Sequence, residues 1–232
     1  NCDWSSDVCS SDLAAPAPAK ERIALIVGNA GYVDTPLKNP INDARAMATR
    51  LGELGFSVTK LEDATKAEME KAIVAFEGQL GAEQVGLFYY AGHGIQVAGR
   101  NYLVPVDATL ASERAARIEA VDVGLVIDAM DYAQSRVNLV ILDACRNNPF
   151  ERRWRGSGQS RGLAAIDAAR GTLIAYATAP GAVAADGDGA NGLYTGELLD
   201  ALQKPGLSVE EVFKQVRTNV DGRTHEIGRA HV

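Results

Sequence analysis

Cysteine and histidine are scarce in this chain, with three of each among 232 residues. Most of them sit near the ends, and the ends do not read as protein. Asp7–Leu13, DVCSSDL, is what GACGTGTGCTCTTCCGATCT plus one further base would encode. Glu226–Val232, EIGRAHV, is what GAGATCGGAAGAGCACACGTC would encode. Apart from the end bases, the second string is the reverse complement of the first. Both segments match a translated sequencing-library adapter and are set aside from fold reasoning, and the natural protein is expected to continue past both ends. Cys9 and His231 fall inside these segments, and Cys2 and His225 lie beside them. That leaves Cys145 and His93 as the embedded cysteine and histidine. A disulfide framework and a Cys/His zinc site both fail for lack of ligands.

Other absences narrow the classes further. Positive charge is not in excess: the formal net charge is −7, which argues against a nucleic-acid partner. No apolar run approaches the roughly 18–20 residues of a membrane span. Gly28-Asn29-Ala30-Gly31 after the first apolar run is not G-x-G-x-x-G, so a dinucleotide site is not expected. Asp186-Gly187-Asp188-Gly189 falls far short of an EF-hand loop, so no metal site and no required cofactor are expected. Leu13–Ala19, LAAPAPA, reads as a stiff linker that could also follow a lost secretory signal, which leaves the compartment open between periplasmic or secreted and cytoplasmic.

What is present is an alternation of short apolar runs and amphipathic stretches. Runs at 23–27, 57–61, 85–91, 137–142 and 172–177 read as strands, with a short extended piece at 101–106. Helical spacing marks 42–54, 66–80, 121–133, 192–203 and 209–220. Alternating strands and helices imply an α/β three-layer sandwich, a mostly parallel sheet with helices on both faces. The basic, Gly/Ser-rich stretch 151–171 breaks the rhythm, and its first half reads as an exposed loop within one domain.

Open α/β sheets place their sites beyond the carboxyl ends of the strands. His93 follows the third strand and Cys145 the fourth, so both belong on one rim. A thiol reacts well near neutral pH when a base or imidazolium adjoins it. A lone cysteine near a buried strand packs more often than it reacts, and a histidine in Gly-His-Gly is often only a turn residue. Their joint placement favours catalysis. The N–H groups of Gly94 and Cys145 then become candidates for an oxyanion hole.

YYAGHGIQ (89–96) and LVILDACRNNP (139–149) resemble the His and Cys motifs of the caspase/metacaspase family of cysteine endopeptidases, peptidase family C14, with a likeness to bacterial metacaspase-like members. Cys145 follows His93 by 52 positions, against about 50 in caspases. IALIVGNAGY (23–32) with NDARAMATRLGELGF (42–56) resembles the start of the family's large (p20) subunit, and AYATAPG (175–181) the start of its small (p10) subunit. The resemblance covers residues 21–220, with a p20-like part at 21–150, a loop at 151–171 and a p10-like part at 172–220. Residues 1–20 are then adapter and linker, and 221–232 a truncated end. The resemblance implies Cys145 as nucleophile, His93 as its acid/base partner and a peptide or protein substrate. It leaves calcium activation and the oligomeric state open.

The departures bear on specificity. Where caspases carry Gln two residues before the cysteine, this chain has Asp143; where they carry Arg after the AYSTAPG-like segment, ungapped counting reaches Asp186; and a further expected Arg falls near Leu37. A pocket lined by Asp143 and Asp186 should prefer Arg or Lys at P1 and reject Asp. The plain readings are a strand-end cap for Asp143 and a solvated loop for Asp186. Arg152, Arg153, Arg155 and Arg161 could let an Arg-specific enzyme cut itself, and otherwise form a solvated basic loop. Asp43 reads as a carboxylate favouring the first helix's dipole, and Tyr89 and Tyr90 as packing. The expectation is a Cys/His endopeptidase. The competing expectation is a catalytically silent interaction module on the same fold, since fold alone never fixes function.

Overall fold

A computed structural model describes residues 21–145, 163, 164, 166, 171–177 and 189–224, with nothing described of the side chains of Cys145 and Thr224. The order is β1 (Arg22–Gly28), α1 (Pro40–Glu53), β2 (Ser57–Glu62), α2 (Lys66–Glu77), β3 (Val85–Val97), β4 (Arg100–Leu103), α3 (Glu113–Glu119), β5 (Val121–Asp122), α4 (Val123–Tyr132), β6 (Val137–Cys145), β7 (Thr172–Tyr176), α5 (Leu193–Leu202) and α6 (Val209–Thr224). Every strand run read from the sequence is a strand here, and the sheet is mostly parallel.

Five strands run parallel in the order β2-β1-β3-β6-β7. Successive residues of the central strands face opposite sides, and both sides are covered. Leu25, Val27, Phe88, Tyr90, Val140 and Leu142 pack with Met69, Ile73 and Phe76 of α2 and Val126 and Met130 of α4. Ala24, Ile26, Leu87, Tyr89, Leu139 and Ile141 pack with Met47 and Leu51 of α1, Leu198 of α5 and Val216 of α6. Apolar side chains on both faces are why these strands read as unbroken apolar runs. The helix ends are locally specified. Thr65 and Glu68 form a capping box at the start of α2, and Ser112 accepts the Ala115 N–H at the start of α3.

Two strands differ from the sequence reading in a way that matters for the site. β3 does not stop at Gly92-His93-Gly94. It continues to Val97 and pairs antiparallel with β4, so His93 is a strand residue rather than a turn residue. β6 likewise runs on to Cys145. The extension buries a third apolar cluster, with Tyr32, Ile95, Val97, Tyr102, Val104, Leu110 and Ala116. α3 has no counterpart in the sequence reading: it is seven residues long and buries only Ala116, too little for a periodic signal. Beyond Cys145, Leu163 is buried, and the Ala164 amide exchanges two bonds of 2.7 and 2.8 Å with the Asn101 carboxamide.

Candidate active site

The strand register brings His93 and Cys145 together. β3 and β6 pair in parallel from Val85↔Val137 to His93↔Cys145, the last rung of the ladder. Ala91 pairs with Asp143 one alternation earlier. Residues 89 and 141 face α1, α5 and α6, and the period of two sends Asp143 to that face as well.

His93 is only 5% exposed. Its Nε2 lies 2.8 Å from the Thr35 carbonyl oxygen, a bond that assigns the proton to Nε2 and leaves Nδ1 as the basic atom. Burial lowers the imidazole's pKa, and the Thr35 contact offsets part of that effect. The neutral, proton-accepting form is therefore favoured near neutral pH. His93 N–H donates to the Tyr32 hydroxyl at 3.0 Å, and the Val104 N–H donates to the His93 carbonyl at 3.0 Å. The Tyr32 ring lies 4.5 Å, centroid to centroid, from the imidazole.

A second group forms beside this pair. Asp143 Oδ2 accepts from Thr195 Oγ1 at 2.5 Å, and Tyr89 Oη lies 2.5 Å from the same Thr195 oxygen. Burial first, then the negative charges of Asp143 and Asp43, hold the Tyr89 phenol far above its ordinary range. It keeps its proton, and the order Tyr89 to Thr195 to Asp143 follows, since a carboxylate only accepts. Asp43 is 3% exposed, and its Oδ1 accepts from Asn191 Nδ2 and from the Gly192 N–H, both at 2.9 Å. A methyl group on Gly192 would lie 3.2 Å from Asp43 Oδ2 and 3.7 Å from Asp143 Oδ2. Two carboxylates thus approach the same residue, Gly192, at the start of α5.

Asp43 is the residue the sequence reading placed too modestly. It does lie in the first turn of α1, but its carboxylate also anchors the 191–192 turn and faces Asp143 across Gly192. Its burial and its company come from contacts about 150 residues apart, which no local pattern carries. The only sequence signal was an acidic residue on the buried side of an otherwise apolar helix stripe (Pro40, Ala44, Met47, Leu51). Leu37 packs against the third cluster instead of facing the carboxylates. The packing reading of Tyr89 and Tyr90 is also incomplete: both rings are fully buried, and both hydroxyls are engaged at the site. Gly94 lies in β3 beside Ala144 and Leu163. Asp186, Arg152, Arg153, Arg155 and Arg161 lie outside the described residues. Among the described residues, no cluster of three or more His, Cys, Asp or Glu could hold a metal ion, and no helix is long and apolar enough to cross a membrane.

The chain is 29% identical over 223 residues to the mucosa-associated lymphoid tissue lymphoma translocation protein 1 of Homo sapiens, and equally to its Mus musculus homolog. Each alignment covers 92% of this chain and 24% of the relative, so the chain spans about a quarter of the length of these curated relatives. The caspase-domain model of peptidase family C14 matches residues 21–230, and the chain belongs to that family.

Proposed function

We propose that this domain is a cysteine endopeptidase that cleaves peptide bonds after Arg or Lys. The observation that carries the reading is the rung His93↔Cys145, a backbone register that sets these two residues opposite each other on adjacent strands at the sheet's rim. Cys145 gives its thiol proton to His93, and the sulfur attacks the scissile carbonyl. The C–N bond breaks as His93 returns that proton to the leaving amine. His93 then takes a proton from water, whose oxygen attacks the thioester; the peptide acid leaves and the thiol is restored. Gly94 and Cys145 N–H groups are the oxyanion donors in this scheme, which requires the last rung to open when substrate binds.

The preference for a basic P1 residue rests on the carboxylates of Asp143 and Asp43 both approaching Gly192, with little water around Asp43. An aspartate side chain there would meet two like charges, whereas a guanidinium or ammonium would be paired. Asp186, from the 184–191 stretch, is a further candidate for this lining. Autoprocessing at Arg152, Arg153, Arg155 or Arg161 and activation by calcium remain secondary parts of the proposal.

The test is cleavage of aminomethylcoumarin peptides bearing Arg, Lys or Asp at P1, with Cys145→Ala as the control. Release from the Arg and Lys peptides by wild type alone is the expected result. Equal inactivity of wild type and Cys145→Ala on every peptide would overturn the reading and favour the interaction module.

A further inference from the structure

His93 sits at a seam. Its strand pairs in parallel with β6 up to this residue and antiparallel with β4 from Gly94 onwards. Its carbonyl is taken by the Val104 N–H, but its own N–H goes to a side chain, the Tyr32 hydroxyl. Tyr32 Oη in turn donates to the Val104 carbonyl at 3.0 Å and lies 3.2 Å from Tyr90 Oη. Tyr90 Oη donates to the His93 carbonyl at 2.8 Å, with the Val104 carbonyl 3.0 Å away as its other acceptor. Two phenol protons and one amide proton therefore close a small network around the backbone of one residue, with every donor satisfied.

The space for this network is built in. At Gly92 the backbone takes φ +154°, and a Cβ would come within 2.7 Å of both tyrosine hydroxyls, so a side chain there would expel the pair. The turn that carries Tyr32 also carries Thr35, whose carbonyl holds the imidazole Nε2. One segment after β1 thus restrains His93 at its backbone, at its ring face and at its far nitrogen.

We infer that Tyr32, seconded by Tyr90, is the positioning residue for His93, fixing through its hydroxyl the angle at which the imidazole meets Cys145. This rests on the peptidase reading, in which His93 is the acid/base group. A phenol here does what a neighbouring strand does elsewhere, but it can be removed without unpairing a strand. Tyr32→Phe keeps the ring against the imidazole and leaves the buried His93 N–H without its acceptor.

The experiment uses the full chain, with wild type, Tyr32→Phe and Tyr90→Phe compared by three measurements. These are kcat and KM on the Arg-coumarin peptide, the pH profile of Cys145 alkylation by iodoacetamide read on its own peptide by mass, and thermal melting to count the folded fraction. Tyr32→Phe should lower kcat about 10- to 100-fold with KM within about twofold. Its alkylation inflection should move from below towards the free-thiol value of about 8.5 as the imidazole loses its alignment. Tyr90→Phe should do the same more weakly, because Val104 N–H still holds the His93 carbonyl. A merely structural role would lower the melting temperature and leave the folded fraction's alkylation profile and kcat unchanged, and that result overturns the inference. Wild type that alkylates with a paired inflection but cleaves no peptide defeats the peptidase reading alone, and the alkylation shift then decides the positioning role. Wild type with an unpaired, free-thiol profile overturns the positioning role as well.

Discussion

Asp43→Asn separates the charge of the candidate P1 pocket from its architecture. Two bonds that Asp43 accepts, from Asn191 Nδ2 and the Gly192 N–H, end on the same oxygen, Oδ1. An asparagine with its carbonyl oxygen in that place keeps both, so the 191–192 turn stays anchored. The bonds weaken because a charged acceptor is roughly twice as strong as a neutral one. The stability loss should be about 1–2 kcal/mol, or about 2–8 °C in melting temperature for a domain this size. The other oxygen, facing Gly192 and Asp143, becomes an amide nitrogen with no charge to offer a cationic side chain. A hydrogen bond between charged partners contributes about 1.5–3 kcal/mol, which is about 10- to 100-fold in kcat/KM at 1.4 kcal/mol per decade. The assay compares coumarin peptides with Arg and with citrulline at P1, since citrulline is the uncharged isostere of arginine. The Arg-to-citrulline ratio should fall by that factor, with citrulline cleavage itself little changed. Asp143 remains, so some preference survives. An unchanged ratio, or an equal loss on both peptides with the fold intact, would refute the claim that Asp43 supplies charge to the pocket.

Two further outcomes follow from the surroundings of the site. Asn29 is fully buried, with Oδ1 accepting the Ala64 N–H at 2.9 Å and Nδ2 donating to the Val104 carbonyl at 3.2 Å. Asn29→Ala should cost about 2–3 kcal/mol by stranding the Ala64 amide, lowering the melting temperature by about 4–12 °C, and a fall under about 2 °C would count against the buried-amide argument. His93, whose pKa burial depresses, binds its proton less readily folded than unfolded. Stability should therefore be full above the unfolded value of about 6.5 and decline as pH falls from there towards the folded value. Melting curves from pH 8 to pH 5, about the range this requires, should show this decline shrinking in His93→Gln, and equal slopes in the two proteins would contradict it.

The sequence was legible wherever structure is local. The parallel sheet declared itself because strands covered on both faces must be apolar throughout, and the capping pair Thr65 and Glu68 marks the start of α2. Cys145 and His93 stood out because strand ends in such a sheet share one rim, and the register pairs them on one rung. The same reasoning misjudged where β3 stops, because glycines on both sides of His93 look like a turn. In the fold Gly92 instead clears space for the hydroxyls of Tyr32 and Tyr90.

By itself, then, the sequence determined the layers and the positions of His93 and Cys145 at the ends of neighbouring strands, all set by short-range periodicity and spacing. Only the tertiary structure decided which oxygens and hydroxyls surround them. Asp43 meets Gly192, Asp143 meets Thr195, and His93 meets Tyr32 across gaps of 149, 52 and 61 positions. Such contacts are fixed by how helices pack on a finished sheet, and no window of neighbouring residues contains them.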